Sequence, residues 1–100
     1  MMMAPFRGPD AGRLLAAALL GHLPPGTILH AQHRTPWASA TFSGTQHRLL
    51  LDCGDAGAAT AMAERVADLD FALRGHLLAD IEGQVDGAML TITALTLIAA

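Results

Sequence analysis

The sequence predicts an α+β fold: a two-layer sandwich ordered α-β-β-β-α-β-β, with a five-stranded, mostly antiparallel sheet and two helices on one face. Three observations carry that expectation. Two stretches hold apolar residues at helical spacing, each opened by an aspartate. The other runs alternate apolar with polar residues and are rich in threonine and aliphatic side chains. Asp86-Gly87 sits between the last two of these runs, a strong signal for a tight turn between neighbouring strands.

The first helix is expected over about Asp10 to Gly21. Asp10 suits the N-cap, because its carboxylate can accept from the free N–H groups of the first turn. Leu14, Leu15, Ala18 and Leu19 form the apolar stripe, and Gly21 with Pro24 and Pro25 beyond it stops the helix. Three strands are read next: Thr27 to Arg34, Trp37 to Ser43 and Gln46 to Cys53. Turns at Thr35-Pro36 and Ser43-Gly44-Thr45 separate them. The second helix, capped by Asp55, should reach about Leu69, with Ala59, Met62, Ala63, Val66 and Leu69 on its apolar face. The last two strands span about His76 to Val85 and Ala88 to Ile98. Residues 1–9, with two prolines and a glycine, read as a flexible N-terminal tail before a single domain over residues 10–100.

Composition narrows the function classes. At 52% apolar and 15% charged residues the chain is too apolar for a disordered protein. A net charge of −3, with six scattered arginines and no lysine, argues against a nucleic-acid partner. One cysteine excludes an internal disulfide framework. Arg7 and Arg13 precede the apolar run Leu14 to Leu20, but the run is short and no A-x-A site follows, so no secretory leader is expected. Neither that run nor Met89 to Ile98 is long enough for a membrane helix. A soluble, cytoplasmic protein is the expectation.

His30 and His33, in the stretch HAQHR, have the spacing of two metal ligands on a helix. On a strand, alternation sends them to opposite faces. The flanking prolines and β-branched residues favour strand, so no metal is expected there. The turn positions sort the other side chains. One face holds Leu29, Ala31, His33, His47, Leu49 and Leu51 and should pack under the helices. His30, Gln32, Arg34, Trp37, Gln46 and Arg48 should stand on the other. His33 and His47 then share the core face beside different turns.

Cys53 lies just before the second helix, where a thiol pKa can fall and produce a nucleophile. Asp52 and Asp55 flank it and push the other way, so a buried, inert thiol is the simpler reading. The glycines of Cys53-Gly54-Asp55-Ala56-Gly57 match neither phosphate-binding pattern, and no cofactor is expected. Asp80 and Glu82 stand two apart on a strand, opposite threonines, with no base beside them. A solvated strand face explains them.

The most informative residues are apolar ones placed outside. With Asp86-Gly87 as the turn, Leu78, Leu95 and Leu97 fall on the face away from the helices, where a one-sided sheet is normally polar. Trp37 stands there beside Arg34, a pairing enriched at binding hot spots. These five residues, Trp37, Arg34, Leu78, Leu95 and Leu97, form a candidate interface; the equal alternatives are the N-terminal tail with Phe6 covering the leucines and Arg34 simply stacking over Trp37. The expected function is a non-catalytic protein-interaction or accessory module that self-associates, as a homodimer or with another protein. The alternative is a small-molecule-binding domain or small enzyme, with His33, His47 and Cys53 reaching into a pocket between helices and sheet. The sequence names no ligand for it.

Overall fold

A computed structural model describes residues 10–98. The tail expected over residues 1–9 lies outside the described residues. The class is α+β, as the sequence indicates, but the sheet has four strands and not five. The order along the chain is α1 (Ala11–Gly21), β1 (Ile28–Ala38), β2 (Ser43–Asp52), α2 (Ala56–Arg65), a single 3₁₀ turn (Val66–Asp68), β3 (His76–Asp86) and β4 (Met89–Ile98). Across the sheet the order is β1-β2-β4-β3, and every neighbouring pair is antiparallel. β2 and β3, joined through α2, therefore run parallel with β4 between them.

The lost strand results from Thr35-Pro36, which is not a turn. β1 continues straight through both residues, and Pro36 pairs with Thr45. Proline lacks the N–H that a central strand would need, but β1 is an edge strand, where an N–H can face away from the ladder. The true hairpin tip is Ser39 to Phe42, closed by the Ala38–Ser43 pair. Ser39 holds it: its N–H donates to the Phe42 carbonyl (2.8 Å), and its hydroxyl oxygen accepts from the Phe42 N–H (3.1 Å).

Both helix starts follow from their aspartates. Asp10 Oδ1 accepts from the Gly12 N–H at 2.9 Å, and Asp55 Oδ2 accepts from the Ala58 N–H at 2.8 Å. α1 ends at Gly21, and Arg65 near the end of α2 donates to the His22 carbonyl just past it (3.2 Å). The Asp86–Met89 pair leaves Gly87 and Ala88 as the two-residue loop of the last hairpin. Gly87 has φ +61°, a conformation costly for a side chain with a Cβ. The turn therefore sits one residue later than Asp86-Gly87, and Ile81 pairs with Ala94 instead of Ile92. A shift of two in partner keeps the side chains from Asp80 to Asp86 on their faces.

One apolar cluster fills the space between layers. Leu15 and Leu19 of α1 and Ala59 and Met62 of α2 meet Leu49, Leu51, Leu90 and Ile92 of the two central strands, all fully buried. Both helices therefore cover the same sheet face. Gly44 marks a different constraint. A Cβ built there would stand 2.0 Å from the backbone carbonyl oxygen of Thr96, with no flexible side chain to move aside. Gly44→Ala should destabilise the fold by about 1–3 kcal/mol or more through that overlap, measured as a lowered urea midpoint at unchanged m-value.

Candidate functional site

The strand registers lay the face away from the helices out as rows. His33, Arg48, Thr93 and Glu82 form one row across β1, β2, β4 and β3. Thr35, Gln46, Leu95 and Asp80 form the next. These two rows line a groove of about 690 Å³. A smaller hollow continues it along Ala31, Leu50 and Thr91, again sharing His33 and Arg48. The groove is bipolar. Its cationic side is Arg48 on β2, with His33 of β1 beside it, and its acidic side, Asp80 and Glu82, lies on β3. Thr93 Oγ1 leans on the Glu82 carboxylate at 3.4 Å.

The structure redistributes the residues singled out from the sequence. Because β1 does not turn at Thr35-Pro36, Arg34 and Trp37 lie three residues apart on one strand and face opposite sides; they are not a pair. Arg34 turns toward the helices and donates from Nη1 to Asp10 Oδ2. Gln32, also expected outside, donates from Nε2 to the Gly12 carbonyl of α1 (2.9 Å). A β-bulge between Leu29 and Ala31 causes this change of phase. It sends His33 to the outer face, where it pairs with Arg48, and breaks the alternation that separates His30 from His33. His30 instead lies 3.8 Å from Asp52.

A second bulge, between Leu78 and Asp80, acts likewise on β3. Leu78 packs against the core and does not join Leu95 and Leu97 outside. Leu77 takes its place, paired with Leu97 and 57% exposed. Trp37, Gly44, Leu97 and Leu77 thus make a third outer row. Leu95 is half-buried and Leu97 buried. No sequence signal distinguished Leu77 from Leu78, because the bulge has no glycine or proline to mark it.

His33, His47 and Cys53 do not converge. His33 faces outward, His47 faces the helices, and Cys53 lies six residues beyond His47, roughly 20 Å along the strand. Cys53 is buried, and burial followed by the charges of Asp52 and Asp55 pushes its thiol pKa up. Among the described residues, no group of three or more His, Cys, Asp or Glu side chains is placed to hold a metal ion. No described helix is long and apolar enough to cross a membrane.

His47 is the most unusual titratable group. It is 2% exposed, and its Nε2 shares a 2.8 Å hydrogen bond with the hydroxyl of Thr96, also buried. Among the described residues its Nδ1 has no partner. Burial lowers its pKa most. The nearby Arg34 charge adds to that, Asp10 opposes it, and His76 lowers it further. Asp10 is itself shifted. Partial burial raises its pKa, but the Gly12 N–H and the Arg34 guanidinium outweigh that and leave it lowered. The cluster is thus a neutral imidazole, bonded through Nε2 alone, beside the Arg34–Asp10 ion pair, which suits a structural position better than a proton-transfer site.

No protein-family model, curated protein or solved structure matches the chain. The class of molecule is therefore defined by its own geometry: a two-layer α+β fold whose sheet, among the described residues, is covered by helices on one side and uncovered on the other.

Two measurements follow from these groups. The folded state resists protonating His47, whereas the unfolded chain protonates it near its ordinary value of 6.5. The stability it contributes is complete above that value and falls as pH drops below it toward the lowered folded value. Urea unfolding from pH 8 to 5 should show this decline, and His47→Leu should flatten it. Cys53 should react with a disulfide reagent at neutral pH roughly tenfold or more slowly than free cysteine, and rapidly once urea unfolds the chain.

Proposed function

We propose that this chain is a non-catalytic protein-interaction module that self-associates through the open face of its sheet. One observation carries the reading: the groove on that face is lined by strand residues alone, with no described helix or loop over it. Leu50, Met89 and Leu95 stand half-buried among threonines there, and Leu77 is exposed at one end. Such a face can gain from being covered by another surface. The face also carries two separated patches of opposite charge, which favours a specific partner over non-specific sticking. The single cysteine, buried and unpaired, suits the reducing cytoplasm, where we place the protein.

Light scattering on the size-fractionated protein at two concentrations tests the reading. A dimer is expected, growing with concentration. Leu95→Asp puts a third carboxylate in the centre of the groove and should weaken self-association roughly tenfold or more, with the fold intact by circular dichroism. A wild-type protein that stays monomeric, or a Leu95→Asp variant that dimerises as well as wild type, refutes the reading.

A further inference from the structure

The outer face is complementary to itself under one particular symmetry. This inference rests on the self-association reading and specifies its partner. We propose that the partner is a second copy of this chain, packed sheet to sheet about a two-fold axis parallel to the strands and above the seam between β2 and β4.

The charge pattern selects that axis. A rotation about it places β1 over the partner's β3 and β2 over the partner's β4, and keeps each row over the same row. His33 then lies opposite the partner's Glu82. Arg48 lies opposite the partner's Thr93, whose hydroxyl on its own chain leans on Glu82. Arg48 therefore reaches the partner's Glu82 across a gap of about 10 Å between packed sheets. In the next row Asp80 meets the partner's Thr35, one row and one strand from the partner's Arg48. At the end of the face, Leu77 comes over the column of the partner's Trp37, and Leu97 over the partner's Gly44, which has no side chain to obstruct it. Each contact occurs twice, as a closed two-fold interface requires.

The alternative two-fold, perpendicular to the strands, keeps each strand over its own copy. It brings Arg48 near the partner's Arg48, and Asp80 and Glu82 near their own counterparts. Like charges facing each other across a desolvated gap oppose association. An unrelated partner is not needed to explain the pattern, because the face already contains both halves of a complementary pair.

Charge reversal tests the axis. Arg48→Glu and Glu82→Arg each replace an attraction by a repulsion at two symmetric places, so each should weaken the homodimer roughly tenfold or more by sedimentation equilibrium. The double variant restores opposite charges across the interface and should dimerise like wild type. An equimolar mixture of the two single variants should form a heterodimer, although neither pairs with itself. Unchanged thermal unfolding of the exposed-site variants separates these effects from misfolding. If the wild type dimerises and Leu95→Asp disrupts it while both single reversals leave the affinity unchanged, the face is right and this axis is wrong. A monomeric wild type overturns the axis together with the self-association reading.

Discussion

Burial of one strip, Leu49 and Leu51 of β2 with Leu90 and Ile92 of β4, is the constraint on which the rest of the structure depends. Two short helices supply enough apolar surface to cover one sheet face and no more. Leu15 and Leu19 from one side and Ala59 and Met62 from the other close over that strip. Because β2 and β4 are central and antiparallel, their alternation is rigidly phased. Slipping either by one residue would put leucine and isoleucine in water and arginine or threonine in the core. Everything else is arranged around those two strands.

The edge strands have more freedom, and there the chain departs from regularity. β1 and β3 each carry a bulge near their first residues. Bulges and charged or proline residues on edges also discourage uncontrolled pairing with other chains. β1 has Pro36 and β3 has Asp80 and Glu82. The irregularity has a second effect at the start of α1. It turns Gln32 and Arg34 inward, where they satisfy the Gly12 carbonyl and the Asp10 carboxylate. The start of α1 is thereby tied to the sheet by two side chains of β1, beyond the aspartate that initiates the helix.

These same features set how much was legible in the sequence. The helices and their caps were readable because Asp10 and Asp55 stand before apolar stripes of helical period. β2 and β4 were assigned to the correct faces throughout, because a central strand must alternate strictly. The strand count failed at Pro36. Threonine-proline reads as a turn, and only the strand order shows that it lies on an edge where proline is tolerated. The expected Trp37 and Arg34 pair failed with that turn, and the inward His33 and the outward Leu78 rested on phase carried across a bulge. Neither bulge contains the glycine that would have announced it. Errors of phase therefore concentrated on β1 and β3, and the candidate site was half legible: Leu95, Leu97 and Trp37 stand outside, while Arg34 and Leu78 do not.

The two bulges also determine what the open face presents. Regular alternation back from Leu29 would place Arg34 beside Arg48 outside and leave Asp10 without its guanidinium. The phase change instead keeps one cation for α1 and exposes His33 next to Arg48. On β3 the corresponding change exchanges a core-packed Leu78 for an exposed Leu77. The central strands contribute Arg48 with the uncharged Thr93 and Leu95, and β3 contributes the acidic column and the exposed Leu77. A surface with opposite charges on its two halves is thus a consequence of how the strands are fitted to the core. The self-association proposed for this face needs no residue beyond those that the fold already places there.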